Sequence, residues 1–591
     1  MIDHHRLKKA YEKARSDLLA GRIPGGHWEG QLSSSALSTA TAVSALACVL
    51  RNRQTPTDAT RLRSLIERGL SYVAAIQNSD GGWGDTDRSL SNIATTMLVR
   101  AAIYLAGESD RFADALRSAE TYLDRQGWTA GLKRRYGRDK TFAVPILTNC
   151  ALAGLVPWSE VSPLPFELAC FPPEFYRFLR LPVVSYAVPA LVAIGQARYH
   201  HRKPLNPFTR MTRSLSVRRS LCVVQRMQPE SGGFLEATPL TSFVVMSLAG
   251  IGRADHPIVR RGVQFLIDSA GEDGSWPIDT NLATWVTTLS INALDDGSLA
   301  PLGVECLPWL LRCQHRVRHP FTNADPGGWG WTDLSGAVPD ADDTPGALLA
   351  LARVARHVAE EHAEQIREAA RAGVDWLLGL QNRNGGWPTF CRGWGKLPFD
   401  RSSTDLTAHA LRALHAWRDV HPARIQKAIR RGFTFLDKQQ RTDGSWVPLW
   451  FGNQYRADEE NPVYGTARVL LAYRDLDRLG TKAVSKGLDF LVGEQRDDGG
   501  WGAAPSGEVS SVEETAVAVE ALLASPAVES AQTVIQKGLE WLVQAVEQDR
   551  YRDSTPIGFY FARLWYYEKL YPLIFTLSAL RRAADIYRPD A

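Results

Sequence analysis

Apolar residues recur along this chain at three- and four-residue steps, in blocks long enough for amphipathic helices. In Leu65-Ile-Glu-Arg-Gly-Leu-Ser-Tyr-Val-Ala-Ala-Ile76 they fall on one helical face, and Leu406, Ala410, Leu411, Ala413 and Leu414 mark another. One phrase separates the blocks: Gln, three residues, Gly, one residue, Trp. It stands at Gln77–Trp83, Gln381–Trp387, Gln440–Trp446 and Gln495–Trp501, and degenerate copies end at Trp28, Phe234, Trp276 and Trp329. From Trp276 to Trp501 successive copies are 53, 58, 59 and 55 residues apart. Asp-Gly and Gly-Gly pairs inside the phrase stop the incoming helix and make a turn. The predicted unit is helix, tight turn, helix, with Trp stacked on a neighbouring helix end and Gln reaching backbone groups. Stacked hairpins of this length close into a ring, so the fold class is all-α, with α/α-barrel (toroid) domains. There is no βαβ pattern and no strong strand series.

Length and composition narrow the choice. The 591 residues exceed one ordinary core, which fits a repeat architecture or several domains. Hydrophobic residues at 45% and charged residues at 22% describe a folded chain, not a disordered one. Lys plus Arg (68) nearly balances Asp plus Glu (64), which argues against a nucleic-acid partner. Seven Cys include no CxxC pair, so neither a disulfide framework nor a zinc knuckle is indicated. The first residues are charged, without the apolar core of a secretory signal. No uninterrupted apolar run reaches 18 residues, so a spanning helix is not expected. Phe142–Trp158 and Leu181–Gly195 come nearest, and both buried helices and monotopic membrane contact are open to them.

The chemical signal is Pro339-Asp340-Ala341-Asp342-Asp343-Thr344-Pro345, three carboxylates in four positions just before a good helix. Thr344 is expected as N-cap, with Pro345 at the first helical position. Acids at a helix start favour the helix dipole, and capping alone would explain them. Clustered carboxylates cannot all ionise cheaply, however, so one proton is retained. A positioned strong acid is what protonation of an unactivated alkene requires.

The Gln-x3-Gly-x-Trp repeat resembles the QW motif of triterpene cyclases, the squalene–hopene cyclase and oxidosqualene cyclase superfamily, from Trp28 to about Tyr571. The acidic motif strengthens the resemblance. Alkene-protonating members carry Asp-x-Asp-Asp-Thr nine residues after an aromatic that follows Gly-Gly-Trp, as Asp340 follows Trp331 here. The resemblance implies two α-barrel domains, one inserted at residues 15–265 and a catalytic one built from 270–591 with residues 1–14. It implies Asp342 as proton donor, His409 of Thr404-Asp405-Leu406-Thr407-Ala408-His409 as the partner of Asp340, and Asp343 and Asp405 as supporting carboxylates. Asp405 and His409 are four apart and share a helix face.

A carbocation must then be held without being quenched, which aromatic faces do at about 0.5–2 kcal/mol each. Matching to the family pattern selects Tyr186, Trp285, Trp331, Phe390, Trp450, Tyr560 and Tyr567 as cavity residues, although Val286 stands where the family has Asp. Family hopene formers carry glutamates near the terminating end. Here Ser38–Thr41 and Asn92–Leu98 hold no acid, so the far end is expected to be more apolar and termination different.

The implied activity is a class II cyclase that protonates squalene or a related linear polyprene and closes it into a polycyclic triterpene. No cofactor and no metal are expected, since there is no net redox change. Such a substrate comes from a bilayer. Pro172–Pro182 resembles the family's segment near its membrane plateau, and the basic run from Tyr199 to Arg219 could meet anionic headgroups. Monotopic attachment on the cytoplasmic side of the membrane is expected, and a homodimer is an allowed assembly. Two alternatives stay open. A class II diterpene cyclase would act on a prenyl diphosphate through a basic grip. A non-cyclising prenyltransferase-like subunit would bind zinc, which the placement of the Cys does not favour.

Overall fold

The computed structural model describes residues 2–52, 59–137, 140–172, 185–392, 398–503, 510–524, 529–559 and 563–587. Among them, helices form two rings of hairpins, each with an inner and an outer layer. The inner helices of the first ring are Ala36–Asn52, Ile93–Ala106, Lys140–Leu152, Val188–His201 and Thr238–Ala249. Each contacts the next, and the last returns to the first. The second ring has six inner helices: Ala283–Ala293, Asp343–Val354, Thr404–Ala416, Pro462–Asp475, Val512–Leu522 and Tyr571–Ile586. These also close on themselves.

Sequence separates the layers. Ala36–Asn52 is buried at every residue from Ala36 to Val49, and its Thr39 hydroxyl donates back to Ser35 O at 2.7 Å. A helix covered all round needs small, apolar or self-satisfied side chains. Outer helices such as Pro257–Asp268 and Pro422–Gln439 bury one stripe and keep Arg and Lys on the other. The sixth outer helix of the second ring is His4–Ala20, packed on Tyr571–Ile586 and Glu529–Glu547. Trp28 follows it, donating its indole N–H to Leu18 O (2.7 Å) and its backbone N–H to Thr287 (3.0 Å). The second ring thus takes the chain through Trp28, beyond residue 14. The crossing between rings is a two-stranded ladder in which Ser34 and Ser35 pair with Pro277 and Trp276. Of the two apolar runs, the first is helical only within Lys140–Leu152, an inner helix. The second begins outside the described residues and continues into Val188–His201.

The repeated phrase is a hydrogen-bonded staple. Gln440 Nε2 donates to Gly444 O (2.9 Å) and to Ala483 O of the next outer helix (2.8 Å). Gln77, Gln381 and Gln495 do the same in their own repeats. In these four copies the Trp indole donates to a carbonyl ten residues earlier, as Trp446 does to Leu436 at 2.8 Å. Gly444 lies at φ +92°, and a Cβ there would meet Lys486 O at 2.2 Å, so only glycine passes this close to the next helix.

Two degenerate copies, those ending at Phe234 and Trp329, keep the staple in altered form. Gln228 bonds Gly232 O and Ile258 O beneath Phe234 instead of Trp. Gln314 reaches Gly327 O across 13 positions, and Trp329 donates to Leu310 across 19. Both spans exceed the usual 4 and 10 by nine residues, the size of one insertion.

A third partner is a threonine on the next inner helix. The backbone N–H of Trp329, Trp387, Trp446 and Trp501 donates to the hydroxyl of Thr344, Thr407, Thr466 and Thr515 at 2.9–3.0 Å. Every one of these groups is buried. Thr466→Val keeps the volume but strands the Trp446 amide. It is expected to lower stability by about 1–3 kcal/mol in thermal or denaturant unfolding.

Candidate active site

Aligning the second ring on its staple threonines gives the site its register. Two residues before Thr287, Thr344, Thr407, Thr466 and Thr515 stand Trp285, Asp342, Asp405, Tyr464 and Glu513. Two residues after stand Leu289, Gly346, His409, Arg468 and Val517. Apart from Glu513, Gly346 and Val517, these residues line one cleft in the ring's lumen. The staple therefore turns the same two positions of successive inner helices towards a common space.

The acidic motif is clamped from both sides. Asp340 N–H donates to Trp329 O (3.0 Å) and Ala341 N–H to Thr389 O (2.9 Å). The helix begins at Asp343, with Asp342 at the N-cap position and Pro345 within the first turn, where its missing N–H costs nothing. Thr344 is not the cap, because its hydroxyl accepts from Trp329. Asp340 Oδ1 does the capping, accepting from the amides of Asp342 and Asp343 at 2.8 Å each.

The three carboxylates are unequal. Asp340 and Asp343 are buried within hydrogen-bonding reach of one another. Asp340 Oδ2 and Asp343 Oδ1 receive no hydrogen from another group. Facing acceptors are satisfied when one carboxyl keeps its proton and donates it, and burial drives both groups up towards that shared-proton state. Asp342 alone opens to the cleft, with 22% of its side chain accessible.

His409 Nδ1 lies 2.8 Å from Asp342 Oδ1. The expected partner of His409 was Asp340. The structure pairs it with Asp342, because Asp340 is turned back onto the helix amides. Burial holds His409 below the usual imidazole range, and Arg412 and Arg468 add to this against the pull of Asp342. Asp405 accepts from the Ser403 hydroxyl and from Leu449 N–H (3.3 Å). Burial first, and then the charge of Asp342, raise its carboxyl to about 6.

Two aromatic groups adjoin the acid. Trp285 lies edge-on to His409 at 6.1 Å and donates to Tyr571 Oη at 3.0 Å. Phe451 stacks on Tyr464 at 4.3 Å and lies 6.1 Å from Tyr571. In the second group Phe390 is the hub, 4.7 Å from Tyr186 and 6.2 Å from both Trp331 and Trp450. Trp450 Nε1 donates to Thr389 Oγ1 at 2.9 Å, and Trp331 O accepts from Trp285 N–H at 3.2 Å. The structure thus brings Tyr186, Trp331, Phe390 and Trp450 together, with Trp285 beside the acid.

Tyr567 does not join them. Its hydroxyl donates to Asp87 at 2.9 Å in the first ring, under the guanidinium of Arg88. Tyr566, one residue earlier and on the opposite side of its strand, meets Tyr571 at 3.3 Å instead. Tyr560 lies outside the described residues. The sequence analysis missed Tyr464, Arg468, Phe451, Tyr566 and Tyr571, although the threonine register reaches the first two. It also missed an acid beside Asn92–Leu98. Asp85 is buried there, accepting from Asn92 Nδ2 (2.8 Å), the Thr95 hydroxyl and Trp565 N–H (2.7 Å). That segment is therefore not free of carboxylate, since a loop residue supplies one.

Comparisons with known proteins agree with this architecture. Residues 282–585 match the family model of the squalene-hopene cyclase C-terminal domain and residues 11–194 that of the squalene-hopene cyclase N-terminal domain. An enfumafungin synthase of Hormonema carpetanum is 24% identical over 94% of this chain, which spans only 47% of that relative's length. A probable squalene–hopene cyclase of Sinorhizobium fredii is 24% identical over 97% of this chain and 96% of its own. The solved ent-copalyl diphosphate synthase from Streptomyces platensis shares the fold, with a TM-score of 0.59 at 20% identity, covering 98% of this chain and 99% of that one.

The raised carboxyl of Asp405 carries a stability consequence. Its folded form holds a proton that the unfolded chain releases near pH 3.8, so its contribution is complete below that pH and is lost as pH rises through about 6. Asp405→Asn keeps the acceptor and removes the titration. Between pH 4.5 and pH 7 the wild type is expected to lose about 2 kcal/mol relative to this variant in denaturant unfolding.

Proposed function

The chain belongs to the squalene–hopene cyclase family, and from that membership we propose that it protonates a terminal alkene of squalene or a related linear polyprene and cyclises it to a polycyclic triterpene. The observation that carries the reading is the pair of Asp342 and His409 in the cleft of the second ring, beside Trp285 and Tyr464. Asp342 is the accessible acid of its cluster, and Asp340 and Asp343 are spent on capping and on each other.

In the reaction, the terminal double bond takes the Asp342 proton to form a C–H bond and leaves a tertiary cation. The Asp342 carboxylate that remains keeps its hydrogen bond from His409. Each following alkene attacks the cation before it, forming one C–C bond and passing the charge along. Loss of a proton, or capture of water followed by loss of a proton, ends the sequence and restores neutrality. Trp285, Tyr464, Phe451 and Tyr571, with the group around Phe390, face the moving charge with rings that stabilise it without bonding to it.

A prenyl diphosphate substrate would need cations for its head. Arg135 and Arg563 meet between the rings, but each lies 3.2 Å from Glu459, which already offsets their charge. That compensation favours a hydrocarbon polyprene over a diphosphate head at this position.

Delivery from a bilayer is supported by the helix Pro207–Met227. Leu205, Phe208, Met211 and Leu215 project at 54–101% exposure, the last three along one face. Arg210, Arg218 and Arg219 are exposed beside them. Apolar residues flanked by basic ones suit an interfacial helix, and none of the described helices is long and apolar enough to cross a membrane. Much of Pro172–Pro182 lies outside the described residues.

Two measurements test these readings. Purified protein supplied with squalene is expected to form polycyclic hydrocarbon or alcohol by mass spectrometry, and Asp342→Asn to lose about 10²–10⁴ of the rate. Product from geranylgeranyl diphosphate with magnesium, and none from squalene, would overturn the substrate. The double variant Phe208→Ser, Leu215→Ser is expected to bind anionic vesicles about 100-fold more weakly in co-sedimentation, from about 1.5 kcal/mol or more lost per side chain.

A further inference from the structure

Arg468 occupies a site position without taking part in the proton transfer itself. It stands in the same threonine register as His409, one inner helix along, and lines the same cleft as Asp342. Its guanidinium lies between the rings of Tyr464 (4.9 Å) and Phe575 (4.8 Å). Nη2 is buried without a hydrogen-bond acceptor, and no described carboxylate lies within ion-pair distance of the side chain. Aromatic faces attract a cation but carry no charge to cancel it.

The neighbouring cations differ. On Thr404–Ala416, Arg412 is 2.6 Å from Asp475. On Pro462–Asp475, Arg474 is 2.7 Å from Asp475 and 3.9 Å from Glu520 of Val512–Leu522. On Tyr571–Ile586, Arg581 donates to Leu294 O at 2.5 Å. Ala283–Ala293 presents the uncharged Trp285 and Asn292. The remaining groups near Asp342 are its own Asp340 and Asp343, which share a proton, with Asp405 and the tyrosines 464, 566 and 571. Arg468 thus lines the cleft of Asp342 without an ion pair to a described carboxylate, and the carboxylates whose charge reaches it are Glu520 first and then Asp342.

We propose that Arg468 is a positioning residue: it supplies the fixed positive charge against which Asp342 releases its proton, and it keeps His409 a neutral N–H donor. The proposal deepens the function proposed above and rests on it. A carboxylate formed next to a permanent cation is stabilised, so the acid is stronger. A neutral imidazole beside that cation donates Nδ1–H to Asp342 Oδ1 and leaves Oδ2 to carry the proton that is given away. The family resemblance implied His409 as the partner of the acid motif. In this chain the geometry hands the role of cation to an arginine, whose charge persists at every working pH.

The test uses the full chain and two neutral variants, Arg468→Met and Arg468→Gln, with Arg468→Lys as the charge-keeping control. Removing the cation is expected to move the alkaline limb of the kcat–pH profile up by about one unit and to cut kcat about tenfold, with KM within about twofold. Arg468→Lys is expected to hold the limb near its wild-type position. Independently of substrate, the His409 imidazole, assigned through His409→Asn in proton–carbon NMR spectra, is expected to titrate at higher pH in the neutral variants. An unmoved limb and an unmoved His409 titration in a folded neutral variant overturn the proposal. So does failure of both neutral variants to fold, which would mark a purely structural cation. If the wild type cyclises no polyprene, the proposed function fails, and the His409 titration still decides whether Arg468 sets that imidazole.

Discussion

The hydrogen bond from each staple tryptophan amide to a threonine hydroxyl on the next inner helix fixes more than stability. It sets the rotation of that helix about its own axis. With the threonine turned outward to the preceding turn, the residue two positions earlier and the residue two positions later face the lumen. Trp285, Asp342, Asp405 and Tyr464 are one row of that wall, and Leu289, His409 and Arg468 are the next. The chemistry is thus laid out by repetition: one structural position recurs from hairpin to hairpin and carries a different side chain each time.

That layout lets unlike charges be placed at fixed separations in a dry space. Asp340 and Asp343 settle their own conflict by sharing a proton, and Asp340 spends an oxygen on the helix amides. Asp342 is left with one oxygen on His409 and one face open. Arg412 and Arg474 are tied to Asp475, while Arg468 is held between two rings. Buried charges are expensive unless compensated. Here Asp342 is met by the imidazole of His409 and by the charge of Arg468.

Much of the fold was legible because its signals are local. Glycine at a turn with positive φ, a tryptophan ten residues past its carbonyl partner, and helix-period apolar positions belong to short stretches of sequence. They mark hairpins whatever surrounds them. The insertion between Gln314 and Gly327 hid the glutamine of the copy at Trp329 because it lengthened the spacing without changing the bonds. The copy at Phe234 was legible as degenerate, and its glutamine and threonine do their work without the indole. The acidic motif and Asp405–His409 were likewise visible as short patterns.

What the sequence determined by itself was the all-α hairpin repeat, the acid cluster and the pool of aromatic side chains, since each follows from neighbours along the chain. Which oxygen meets which nitrogen was decided only in three dimensions. Asp340 and Asp342 are two residues apart and chemically identical. Only the helix amides above one and the imidazole of a separate helix beside the other make them different. The same holds for Tyr566 and Tyr567, which strand alternation sends to opposite sides, and for Asp85, which reaches Trp565 across 480 positions of chain. Such choices depend on packing between distant segments, and no local spacing encodes them.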